Sequence, residues 1–172
     1  MQHNNNLEKI GNYHEGLAPE IKETGEMHEV TIGNKFWSLL IQKLGIPSKA
    51  RIENPRYLKI VFGSQHESFK ERRDTIVLST PEEEGELIII GHYFPDAEQI
   101  HFNTSLEAIG NELAIELIIH ELVHYVQDVT GKYPEMGKKK TVGDGRNLPW
   151  EKEAYRFMEE LKDDFNRYCE LL

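Results

Sequence analysis

The chain has 172 residues, 38% of them hydrophobic, which suits one domain of ordinary size with a real core. Its 30 acidic and 20 basic residues leave a formal charge of −10, which disfavours nonspecific nucleic-acid binding, because that needs cationic charge to displace counterions. No apolar run approaches the ~20 residues of a membrane span, and the single Cys169 excludes an internal disulfide framework.

Residues 1–30 read as a polar N-terminal arm, and 31–172 as a single domain. The opening Met1-Gln2-His3-Asn4-Asn5-Asn6 lacks the basic and apolar regions of a secretory signal, so the expected location is the cytoplasm. Pro19 suits the first turn of a short helix over 18–22. Asn34 is a candidate cap for a helix to about residue 44, with Phe36, Leu40, Ile41 and Leu44 at helical spacing. Gly45 and Pro47 supply the stop.

Strand candidates follow at 57–62, 74–79 and 86–93. Pro81-Glu82-Glu83-Glu84-Gly85 reads as the hairpin loop between the last two. Gly91 marks a bulge or a close backbone approach. A fourth short strand spans 99–103, with Ile100 and Phe102 alternating against Gln99, His101 and Asn103. As a sheet edge it would offer free N–H and C=O groups to an extended peptide, or be blunted by its polar residues.

A long helix is expected from Leu106 to Thr130, capped by Thr104 or Ser105 and ended by Gly131. It carries His120-Glu121-Leu122-Val123-His124, the H-E-x-x-H pattern of metal-dependent hydrolases. Residues four apart lie one turn above each other on the same face, so two imidazole nitrogens can reach one ion. Glu121 projects about 100° away and can instead reach a water beside that ion. Ile115, Ile119, Leu122, Val126 and Val129 form an apolar stripe, while Leu113 and Leu117 share the histidines' side. A helix apolar nearly all round is buried, and buried histidines need partners, either backbone carbonyls or a metal.

Residues 132–148 hold three glycines, Pro134 and the Lys138-Lys139-Lys140 run, and form either a cleft rim or a flexible connector. Pro149 opens a final helix over 150–172, with Ala154, Phe157, Met158, Leu161, Phe165, Tyr168 and Leu172 as its buried stripe. Cys169 falls near that stripe, as a small buried thiol would.

A catalytic Zn²⁺ usually takes three protein ligands and leaves a fourth position open. No histidine follows His124, so the third ligand is expected to be an acid. Asp128 lies one turn beyond His124, and reads as a residue orienting a ligand or as an exposed acid. On the last helix Glu153 borders the apolar stripe beside the small Ala154, and Glu151 on the other border is the alternative. A glutamate on such a stripe is costly to bury alone, and a metal ion supplies the partner.

His120-Glu121-x-x-His124 followed by Trp150-Glu151-Lys152-Glu153-Ala154-Tyr155-Arg156-Phe157 resembles the small gluzincins, zinc metallopeptidases of bacteria and phages. The resemblance implies an α+β, zincin-like fold: a small twisted, mostly antiparallel sheet of about four strands, packed on the buried metal helix and a C-terminal helix. It also implies Zn²⁺ held by His120, His124 and Glu153, Glu121 as general base, and a protein or peptide substrate. Tyr155, Arg156, His92 and His101 are open candidates for a further donor to the reacting oxygen. The competing readings are a zinc-binding regulatory or protein-interaction module of the same shape, and a peptide-binding protein acting through its edge strand. Intact Glu121 favours the enzyme, because a structural zinc needs no base.

Overall fold

The computed structural model describes residues 25–47, 54–65, 75–80, 85–94, 97–136 and 147–172. The helix expected at 18–22, most of the hairpin loop at 81–84 and the lysine run at 138–140 lie outside them. The described chain is mixed α+β, and runs β1 (Glu26–Ile32), α1 (Asn34–Lys43), β2 (Tyr57–Phe62), β3 (Thr75–Thr80), β4 (Gly85–Phe94), β5 (Gln99–Phe102), α2 (Leu106–Thr130), α3 (Pro149–Glu160), α4 (Lys162–Tyr168) and β6 (Cys169–Leu171).

The strands join in the order β3-β4-β5-β2-β1-β6. The β2–β5 pairing is parallel and the other four are antiparallel. Among the described residues six strands stand where about four were expected, for two reasons. The boundary expected at residue 30 falls inside β1, whose polar first half hid the alternation that ends in buried Val30 and Ile32. The final helix, expected to run to residue 172, stops at Tyr168 and returns as β6 along β1, pairing Val30 with Leu171 and Ile32 with Cys169. Leu161, Phe165, Tyr168 and Leu172 do follow a helical period. The free backbone groups of the β1 edge outweigh that local preference. Gly33 permits the docking, since its N–H donates to the Tyr168 carbonyl at 3.0 Å and a Cβ there would lie 2.5 Å from the same oxygen. Leu172 accordingly ends 62% exposed rather than in the stripe.

β5 lies between β4 and β2, with all four residues buried, so both of its edges are filled. That overturns its reading as an edge open to a peptide. Ile100 and Phe102 enter the hydrophobic core, while Gln99 and His101 alternate to the opposite face. There His101 Nδ1 lies 2.8 Å from Ser64 Oγ and Nε2 lies 2.9 Å from Gln99 Oε1, which satisfies the buried ring.

Asn34 is the first residue of α1 rather than its cap; extended Gly33 takes the cap position. Phe36, Leu40 and Leu44 are buried as expected, joined by Trp37, whose indole N–H donates to the Pro55 carbonyl at 2.8 Å. In α2, Ser105 Oγ accepts from the Ala108 N–H and Gly131 closes the helix at φ 64°. Gly110, at φ 80° and ψ 164°, breaks the helical path near the start. Beyond that break the helix is buried almost continuously from Leu117 to Gln127, against the sheet, α1 and α3. Val129, assigned to the apolar stripe, is 45% exposed. Among the described residues no helix is long and apolar enough to cross a membrane.

Candidate metal centre

The central turns of α2 carry His120, Glu121 and His124 into the interior, and all three are buried. Helical spacing stacks the two histidines, and their Nε2 atoms stand 3.0 Å apart. Pro149 sets the start of α3, which lies along α2 and brings its first turn to this point. Glu151 Oε1 lies 3.0 Å from His124 Nε2, and Oε2 lies 3.3 Å from His120 Nε2. The two Nε2 atoms thus face each other, and each meets a different oxygen of the Glu151 carboxylate. Tetrahedral zinc, with bonds of about 2.0–2.1 Å, separates its ligands by about 3.3 Å, a spacing in the range of these contacts, so the group could hold a single metal ion. His120, His124 and Glu151 are the group among the described residues that could hold a metal.

The structure brings Glu151, the alternative from the sequence, to the two imidazoles, and not Glu153, the preferred third ligand. Both glutamates border the buried face of α3, so helical periodicity alone could not separate them. The neighbours decide. Lys132, just past the end of α2, takes Glu153 Oε2 at 2.6 Å, and Gln127 Nε2 donates to Glu153 Oε1 at 3.1 Å. Glu151 meets the imidazoles instead.

Charge explains why the centre wants a cation. Glu121 and Glu151 place two buried carboxylates beside two imidazoles, and buried anions need compensation. In the metal-free protein a proton fills that need. Burial by itself would lower the pKa of His124. Opposing it are the charge and hydrogen bond of Glu151, the charge of Glu121 and a bond to Gln127, and together they push it up to about 10. Burial likewise opposes ionisation of Glu151, yet the facing histidines hold its carboxyl well below the usual range. A divalent ion on the same donors would replace the proton.

Glu121 sits against β4. A Cβ built at Gly91 would lie 2.7 Å from Glu121 Oε1 and 2.8 Å from the Phe102 ring. The close backbone approach expected at Gly91 is therefore present, and what approaches is the carboxylate of the H-E-x-x-H glutamate.

The ligands are themselves held. His124 Nδ1 lies 2.8 Å from Gln127 Oε1, one turn along α2. The sequence left Asp128 open between this task and an exposed acid, and Asp128 is exposed. The spacing of three residues and the amide acceptor were the signal for Gln127. The ring of Tyr155 meets His120 edge-on at 4.8 Å, on the same face of α3 as Glu151 four residues earlier. His101 is committed to Ser64 and Gln99, and Arg156 stands on the exposed side of α3, over the Phe157 ring. The His92 ring lies tilted at 58° against the Phe94 ring, with centroids 4.5 Å apart. No family model, curated protein or solved structure matches this chain.

Proposed function

We propose that this protein is a zinc-dependent peptidase with a zincin-like arrangement of sheet and metal helix. The observation that carries the reading is the donor triangle of His120, His124 and Glu151 with a second buried carboxylate, Glu121, next to it in sequence and space. Two histidines and one glutamate form a catalytic rather than a structural ligand set, since structural zinc sites are usually closed and rich in cysteine. The one cysteine, Cys169, is in β6 and outside the group. Zn²⁺ bound there supplies a Lewis acid and brings the pKa of water toward ~7.

The chain's own residues divide the remaining work. His120, His124 and Glu151 would hold the ion. Glu121, without a share in that triangle, accepts a proton from the water as its oxygen adds to a peptide carbonyl carbon. The C–N bond then breaks, and Glu121 returns the proton to the departing amine. Gly91 keeps the space in which this carboxylate stands. The competing role as a peptide-binding protein relied on a free edge at residues 99–103, and β5 has none.

Protein purified without chelator should contain one zinc per chain and hydrolyse members of a peptide library. The Glu121→Gln variant should keep the zinc and lose hydrolysis. A zinc-loaded wild type that cleaves nothing across a broad library would instead favour the non-enzymatic, regulatory module.

A further inference from the structure

Beyond the three donors, a chain of buried polar contacts runs outward from His124, and its chemistry has a direction. Gln127 is fully buried. Its Nε2 donates to the Trp150 carbonyl at 3.0 Å and to Glu153 Oε1 at 3.1 Å. A carbonyl oxygen and a carboxylate only accept, so the amide has one sensible orientation, with Oε1 toward His124. That oxygen also only accepts. The hydrogen between them must therefore sit on His124 Nδ1, which leaves Nε2 as the nitrogen that can ligate. Glu153 is in turn held by Lys132 Nζ at 2.6 Å, and Lys132 also donates to the Leu44 carbonyl at 2.5 Å, at the end of α1.

We propose that Gln127 is a positioning residue for the metal, fixing the tautomer and ring angle of His124, and that Glu153 and Lys132 lock its amide. This rests on the zinc reading given above and deepens it. The contacts span α2, the residue after its C-terminal cap, α3 and the end of α1. Correct packing of those elements is thereby coupled to a ligand that binds only in one orientation. Glu153 contributes to metal binding from two contacts away, although it does not touch the ion's donors.

The test is zinc affinity by competition with a chromophoric chelator, together with the visible spectrum of Co²⁺-loaded protein. The variants are Gln127→Leu and Glu153→Gln. Loss of an orienting partner typically costs ~10–100-fold in metal affinity, and that is the loss expected for Gln127→Leu. Glu153→Gln keeps the side-chain size but offers Gln127 a group that can donate as well as accept. It should weaken zinc by a smaller factor, on the order of 3–10-fold, and alter the Co²⁺ band shape. A purely structural role would lower the melting temperature of the metal-free protein while leaving affinity and spectrum unchanged. That outcome in either folded variant overturns the inference. Should Gln127→Leu fail to fold, Glu153→Gln decides alone. A wild type that binds no zinc would sink the metal reading and this inference with it. A zinc-binding wild type with unaffected variants would sink this inference only.

Discussion

Gly91→Ala tests the proposed base apart from the proposed metal site, and its effect can be worked from the packing. The added methyl carbon would stand 2.7 Å from Glu121 Oε1, and 2.8 and 3.0 Å from two carbons of the Phe102 ring. Ordinary contact begins at 3.4 Å. Phe102 is fully buried in the core and has little room to yield. The carboxylate is the far end of a flexible side chain, so it gives way first. Its oxygen must retreat by about 0.7 Å, approaching the ~1 Å misplacement that costs on the order of 10²-fold in rate. Overpacking against Phe102 adds a stability loss of about 1–3 kcal/mol. The metal donors are on other residues, so zinc content should stay at the wild-type value. The assay is kcat/KM on a cleavable peptide, with zinc measured on the same preparation and folding checked by thermal melting. Combined with Glu121→Gln, the glycine change should add almost nothing, because both act through one carboxylate. A folded, zinc-loaded Gly91→Ala protein turning over at the wild-type rate would refute the placement of Glu121 as base.

Other outcomes follow from the same geometry. Single alanine replacements of His120, His124 or Glu151 should abolish stoichiometric zinc binding, whereas Glu153→Ala should only weaken it; metal analysis after dialysis ranks them, and the reverse order for the glutamates would reassign the ligand. Glu121→Gln should lower turnover by ~10²–10⁴-fold with zinc retained, read from initial rates beside metal content. Zinc affinity should rise with pH from 7 to 9, by about tenfold per unit, because the ion must displace the proton that His124 holds up to about 10. Stability of the metal-free form should move the opposite way. A raised histidine pKa stabilises the metal-free fold fully below its ordinary 6.5, and that contribution is lost as pH climbs through about 10, so metal-free melting should fall over that range while the zinc-loaded form resists. Burial pushes the Cys169 thiol up to about 12, so it should react slowly with thiol reagents at pH 8 in the native state and rapidly once unfolded.

Local chemistry was legible along the chain. Ser105 and Gly131 bracket α2 as their side chains and backbone preferences dictate, and β2 has the expected limits. β1 and β6 were not legible. One is half polar and the other carries a helical period, and each is a strand because the partner edge is there. The place of β5 inside the sheet was likewise invisible, since four residues do not say how many neighbours they will have.

The sequence by itself determined the histidine pair, because a four-residue spacing on a helix is a local rule that puts both rings on one side. It also determined that a glutamate between them would face elsewhere. Only the tertiary structure decided which downstream carboxylate completes the triangle. Glu151 and Glu153 flank the same buried face of α3, and the choice fell to Lys132 and Gln127, which hold Glu153 through contacts across 21 and 26 residues of chain. Such a selection depends on how α3 docks on α2, which no periodicity within either helix encodes.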